Sequence, residues 1–129
     1  MRFWLLAAIA FAFGGCDAAI QYDCTDVFQT VAVEVVDAAG RPVVGLETRS
    51  VLERTGDVLQ GASDYESHAD GIYIVASDAD LDVLSIGGDR VLFTATGDAA
   101  SAQATFVLAD DGCHITREEG PAQITAEAL

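Results

Sequence analysis

The stretch TVAVEVVDAAGRPVVG, at residues 30–45, carries the clearest strand-and-turn pattern in the chain. In its first half Val31, Val33 and Val35 alternate with small or polar residues, so the three valines share one face. This period of two predicts a half-buried β-strand. We expect the strand to end at residues 37–42, because the glycine there can adopt a positive φ and the φ of the proline suits a strand entrance.

Further short β-prone runs follow, separated by turns rich in glycine and aspartate. They are a run that ends at residue 54 and the segments 71–76, 90–96, 100–109, 113–117 and 123–126. Residues 56–70 read as an acidic loop, and residues 83–86 fit either a strand or one helical turn. Because no segment has the 3.6-residue period of a helix, about seven short strands predict a single all-β sandwich.

Two motifs in this region resemble a known family. Residues 37–45 match a D-x-x-G-x-P-V-x-G turn, and residues 70–73 match a later D-G-x-Y strand. Both are similar to the carboxypeptidase regulatory-like domain, which has a prealbumin (transthyretin-like) fold. The resemblance covers residues 27–126. It implies a Greek-key sandwich and a non-catalytic module that accompanies envelope proteins.

The N-terminus resembles the signal peptide of a bacterial lipoprotein. An arginine precedes an apolar run at residues 3–13, which is too short to cross a bilayer, since spanning takes about 20 residues. Residues 13–16 (FGGC) resemble a lipobox, with Phe in place of the usual aliphatic residue. The resemblance implies a leader at residues 1–15 and lipidation of Cys16.

The lipobox resemblance also implies how the rest of the chain is organised. Residues 16–26 would be a lipidated tether, and residues 27–129 would be the sandwich domain. In Gram-negative lipoproteins an aspartate after the lipidated cysteine is similar to a signal for retention at the inner membrane, and Asp17 stands there. We therefore expect a lipid anchor in the cell envelope, on the periplasmic face of the inner membrane.

The charge of the chain excludes several classes of partner. It has 21 acidic residues against six basic ones, and its formal net charge is −15. Such a field repels nucleic acid and anionic lipid headgroups. We expect the protein to reach the membrane through its lipid anchor, and any soluble partner to be neutral or cationic.

If Cys16 carries lipid, Cys24 and Cys113 remain as an even pair. In an oxidising compartment such a pair predicts one disulfide. Two free thiols or a metal pair are the alternatives, although the chain has no CxxC motif or Cys/His cluster to favour metal.

The densest group of metal-ligating side chains lies in the acidic loop. Asp64, Glu66, His68 and Asp70 follow one another at every second position, so an extended segment would present all four on one side. The alternative to a metal site is a solvated acidic loop. The Asp-x-Asp-x-Asp run at residues 78–82 resembles the start of a calcium loop, but it lacks the glycine and the closing glutamate of that motif.

The sequence shows no nucleophile, base and orienting group that would form a catalytic site. His114 follows Cys113 in a predicted strand, so their side chains should point to opposite faces and cannot pair. We expect His114 to be a structural residue bonded to a neighbouring carboxylate or backbone group. Hydrolases of the transthyretin-like fold carry a tyrosine-rich C-terminal motif, and this chain ends ITAEAL.

Exposed aromatic side chains, which sugar-binding sandwiches usually present, are scarce in this chain. Trp4 lies in the predicted leader, and we expect the phenylalanines of the strands to be core residues. The predicted core residues are Phe28, Phe93 and Phe106, which leaves Tyr22 and Tyr65 as candidates for exposed aromatic side chains.

These observations predict a non-catalytic envelope lipoprotein that needs no cofactor. Its sandwich would be a structural or protein-interaction module, with an envelope protein as its partner. The alternative is a cation- or carbohydrate-binding accessory module that uses the acidic loop at residues 64–70.

Overall fold

A computed structural model describes residues 23–61 and 70–129. These residues form eight strands and one short 3₁₀ helix. In chain order the elements are β1 (Thr30–Val36), β2 (Glu47–Leu52), β3 (Ile72–Ser77), the 3₁₀ helix (Asp78–Val83), β4 (Asp89–Thr96), β5 (Ala100–Asp110), β6 (Ile115–Glu119), β7 (Gln123–Thr125) and β8 (Glu127–Ala128).

The strands form two sheets that pack face to face, which confirms the predicted all-β sandwich. One sheet has the order β3-β1-β7, and the other has the order β2-β4-β5-β6, with β8 also pairing with β5. The pairing of β1 with β7 is parallel, whereas the other strand pairs are antiparallel. The chain therefore crosses between the sheets near its C-terminus, from β7 to β8.

The core lies between the two sheets and follows the predicted period of two. Val33 and Val35 of β1 are almost fully buried, as the alternation of that strand predicts. Phe93 and Phe106 meet edge to face, with their ring centroids 6.3 Å apart, so truncating either should cost about 3–5 kcal/mol. Phe28 is a correction, because it precedes β1 and is 52% exposed instead of buried.

The turn after β1 is built around one aspartate. Oδ1 of Asp37 accepts hydrogen bonds from the N–H groups of Ala39 and Arg41, each 2.9 Å away. The Arg41 N–H bond is the main reason that the pKa of Asp37 lies below its ordinary value. Gly40 has a φ of +77°, as predicted for the glycine of this turn.

Tyr73 connects the segment after that turn to β3. Its ring is fully buried, and its hydroxyl donates to the carbonyl of Val43 at 2.7 Å. The same oxygen accepts the N–H of Leu46 at 3.2 Å. The tyrosine of the D-G-x-Y motif thus has a structural role, because it holds the chain that leads into β2.

A buried acid fixes the entrance to β4. The side chain of Asp89 is 6% exposed, and it accepts hydrogen bonds from Arg54 at 2.9 and 3.2 Å. It also accepts the N–H of Ser85 at 2.8 Å. The Arg54 guanidinium, followed by the Ser85 bonds, outweighs burial and lowers the pKa of Asp89 to about 2.

Residues 78–83 form a 3₁₀ helix. The Ser77 hydroxyl accepts the N–H of Ala79 at 3.3 Å, and the Asp80 carboxylate accepts the N–H of Ser77 at 3.1 Å. This reciprocal pair is a capping box, which satisfies backbone donors at the start of a helical turn. The helix ends at Val83 and residues 84–88 are a loop, so residues 83–86 form neither the strand nor the separate helical turn that their sequence allowed.

Candidate functional site: the clamp on the N-terminal strap

Residues 23–29, named here the N-terminal strap, lie against one end of the sandwich. The 3₁₀ helix and the turn between β5 and β6 meet at this end. A disulfide joins Cys24 of the strap to Cys113 of that turn, with their Cα atoms 5.2 Å apart. The predicted disulfide is therefore confirmed, and the alternatives of free thiols or a metal pair are wrong.

A second connection follows directly in the sequence. The Thr25 hydroxyl lies 2.9 Å from Nε2 of His114, and Nδ1 of His114 lies 2.7 Å from Oδ2 of Asp78. The side chains of His114 and Asp78 are 18% and 10% exposed. His114 is thus bonded to a neighbouring carboxylate, as expected from the sequence, and it links the exposed strap to the body.

The Cys24–Cys113 disulfide and the contacts among Thr25, His114 and Asp78 together are named here the clamp. Asp78 is its centre, because it receives hydrogen bonds from both the strap and the residues that follow the β5–β6 turn. Its carboxylate accepts the N–H of Gln29 at 2.9 Å and the N–H of Ile115 at 2.8 Å, in addition to His114. The N–H of Asp78 in turn donates to the carbonyl of Gln29 at 3.0 Å. Burial raises the pKa of Asp78, but these bonds outweigh it and leave the pKa below its ordinary value.

A second aspartate shapes the bend that presents Cys113 and His114 to the strap. Oδ1 of Asp111 accepts the N–H groups of His114 at 2.7 Å and Cys113 at 2.9 Å. These two bonds, with that of His114 the larger, lower the pKa of Asp111. The predicted strand at residues 113–117 is therefore wrong at its start, because β6 begins only at Ile115.

Thr25, His114 and Asp78 stand in the order hydroxyl, imidazole, carboxylate, which is also the order of acyl-transfer triads. No motif in the sequence indicated this arrangement, and the absence of a catalytic site stays a prediction. This arrangement holds the imidazole in one orientation, because both of its nitrogens are bonded. Sequence spacing carried no signal for it, since Thr25 and His114 are 89 positions apart.

The Asp-x-Asp-x-Asp run is not a cation loop. Asp80 is 2% exposed, and its carboxylate accepts the N–H groups of Gln60 at 2.7 Å and Gly61 at 3.1 Å. Asp78 is bonded to the strap and to the β5–β6 turn instead, so the two carboxylates bind different parts of the chain. Within residues 23–61 and 70–129, no three His, Cys, Asp or Glu side chains lie close enough to hold a metal ion.

Several predicted site residues lie outside the described residues. They are Cys16, Asp64, Glu66 and His68, together with the candidate aromatics Tyr22 and Tyr65. Asp70, the last member of the predicted metal group, is described and exposed. The base of the loop is fixed at Gly61, where an added Cβ would come within 2.7 Å of Ser77 and Asp80 atoms.

A polar groove of about 380 Å³ is lined by residues of β4, β5, β7 and β8. Hydroxyl, amide and carboxylate side chains line it, and no aromatic side chain is among them. Its polar lining residues are Thr94, Thr96, Ser101, Gln103, Thr125 and Glu127.

The described part of the chain has no helix that is long and apolar enough to span a bilayer. The chain matches no protein-family model, and comparisons with curated proteins and with solved structures found no match.

Proposed function

We propose that this chain is an envelope lipoprotein, anchored through Cys16, whose sandwich is a non-catalytic structural or protein-interaction module. The observation that carries the proposal is the clamp, which fastens the strap to the sandwich only a few residues after the candidate lipid site. Export to the periplasmic face of the inner membrane and an envelope protein as partner belong to the same proposal.

The Cys24–Cys113 disulfide supports export. Disulfides persist in oxidising compartments such as the periplasm and are rare in the cytosol. The compartment that the leader predicts is therefore the compartment in which this bond would form.

The clamp also gives the lipid anchor a mechanical consequence. From Cys16 to Cys24 the chain has 24 − 16 = 8 steps, which span at most about 28 Å. Without the clamp the free chain would run to Thr30, over 14 steps and about 49 Å. The clamp thus keeps the module close to the membrane and limits its freedom, as a positioned interaction module requires.

The non-catalytic reading of Thr25, His114 and Asp78 rests on how the three groups are used. The threonine lies on an exposed strap beside a disulfide, and the carboxylate is already shared with two backbone N–H groups. Hydrolysis of an ester such as p-nitrophenyl acetate tests this non-catalytic interpretation. We expect the Thr25→Val variant to hydrolyse the ester at the wild-type rate, and a rate that drops in the variant contradicts the proposal.

Acylation tests the anchor directly. Labelled palmitate should enter the wild-type protein and the Cys24→Ser control, and it should be lost in Cys16→Ser. Globomycin, which blocks lipoprotein signal peptidase, should cause an unprocessed form to accumulate. Label in the Cys16→Ser variant, or normal processing in the presence of globomycin, would show that the anchor is wrong.

A second candidate is cation binding by the acidic loop at residues 64–70. A cavity of about 320 Å³ beside the base of the loop favours it, because Asp57 and Asp82 are among its lining residues. Calcium or zinc at a hundred times its dissociation constant should stabilise the fold by about 2.7 kcal/mol. An unchanged melting temperature with both ions, in wild type and in His68→Ala, rejects this candidate.

A further inference from the structure

Large apolar side chains are exposed at the end of the sandwich where the strap enters. This tether end consists of the strap, the 3₁₀ helix, the loop at residues 84–88 and the turn between β5 and β6. Val27 and Phe28 of the strap are 60% and 52% exposed, and Ile86 of the loop is 79% exposed.

Backbone hydrogen bonds place these side chains around the same turn. Gln29, the neighbour of Phe28, pairs with Asp78, which contacts His114 of the turn. Ser85, the neighbour of Ile86, accepts the N–H of Asp110, the last residue of β5 before that turn, at 3.3 Å. Phe28 and Ile86 therefore flank the turn to which the disulfide ties the strap.

We propose that the tether end lies on the lipid surface, with Phe28 and Ile86 entering the interfacial region of the bilayer. This inference rests on the proposed anchor at Cys16. The argument for lipid as the occupant is the length of chain beyond the clamp. Eight steps separate Cys16 from Cys24, so an anchored lipid keeps this end within about 28 Å of its own membrane.

The short tether changes what a small apolar surface can do. In a free protein, two or three exposed side chains would bind a bilayer weakly, because interfacial affinity scales with buried apolar area. An anchored module meets the surface as an intramolecular event at high effective concentration. The clamp joins the strap to the body at several points, so the strap and the sandwich move together as one unit.

The charge of the tether end restricts the type of lipid. Asp26, Asp82 and Asp111 lie in its segments and are exposed. The negative surface potential of an anionic leaflet would repel them. The contact should therefore be strongest on a zwitterionic surface and weaken as anionic lipid is added.

Single tryptophans give a clean test, because Trp4 is the chain's one tryptophan and lies in the predicted leader. Phe28→Trp and Ile86→Trp report on the tether end. Val44→Trp is the matched control, since Val44 is 57% exposed and follows the turn at the other end of β1. The acylated variants are reconstituted into phosphatidylcholine vesicles whose acyl chains carry bromine, a short-range quencher.

We expect the brominated chains to remove most of the fluorescence of Phe28→Trp and Ile86→Trp and little of that of Val44→Trp. Equal quenching at the three positions, or none, overturns the proposal. Protection of Ile86→Trp from acrylamide without quenching by bromine would mean that protein covers this end, and it also overturns the proposal. Acylated protein that sediments with vesicles but is not quenched leaves the anchor standing, whereas protein without acyl label removes the anchor and this inference together.

Discussion

Replacing Asp78 by alanine should loosen the strap, because this one carboxylate is bonded to three groups from two parts of the chain. Hydrogen bonds to a charged group are worth about 1.5–3 kcal/mol each. The N–H of Ile115 and the ring of His114 are largely shielded and would lose their acceptor, whereas water can replace the bond to the exposed Gln29. We therefore count two bonds and expect a loss of about 3 kcal/mol in the free energy of unfolding.

Urea unfolding followed by far-ultraviolet circular dichroism measures this loss. Asp82→Ala is the matched control, because Asp82 lies on the same 3₁₀ helix, is exposed and accepts no hydrogen bond from the described residues. It should change the stability by less than about 0.5 kcal/mol. If Asp78→Ala costs no more than its control, the clamp is not held by this carboxylate.

A double-mutant cycle shows whether the two parts of the clamp act together. Asp78→Ala is combined with Cys24→Ser and Cys113→Ser, which remove the disulfide. Since both connections hold the same strap, the combined loss should be smaller than the sum of the separate losses. Strict additivity would mean that the disulfide and Asp78 stabilise independent parts of the protein.

Three further predictions concern stability. Removing the strap disulfide should cost up to about 4–5 kcal/mol in the chain-entropy model, and urea unfolding with and without reductant measures it. The pKa of Asp89 is lowered from 3.8 to about 2, so its ionised carboxylate stabilises the fold by about 2 kcal/mol above pH 4. Acid titration should show the loss of this stabilisation as the pH falls from 4 to 2, and Asp89→Asn should not show it. Gly61→Ala should cost about 2 kcal/mol in thermal unfolding through steric crowding, whereas Gly87→Ala, with open space around its Cβ position, should be close to neutral.

Local sequence patterns predicted much of the sandwich. The alternating valines of β1 are buried on one face, and Gly40 has the positive φ that its turn requires. Such features depend on neighbouring residues, so they are visible in the sequence. The disulfide was also predictable, because only one pair of cysteines follows the candidate lipid site. The family resemblance, the lipid anchor and the metal group at residues 64–70 stay predictions.

Local patterns in the sequence predict the strand-rich class and the main turns, and the cysteine count favours the pairing of Cys24 with Cys113. No local pattern indicates that β7 runs parallel to β1, or that Thr25, His114 and Asp78 meet at one end of the sandwich; both follow from the packing of the folded chain. The reason is the range of the interactions. A period of two or a turn glycine acts over a few residues, whereas these contacts join positions that are far apart in the chain and become neighbours only after both sheets have packed.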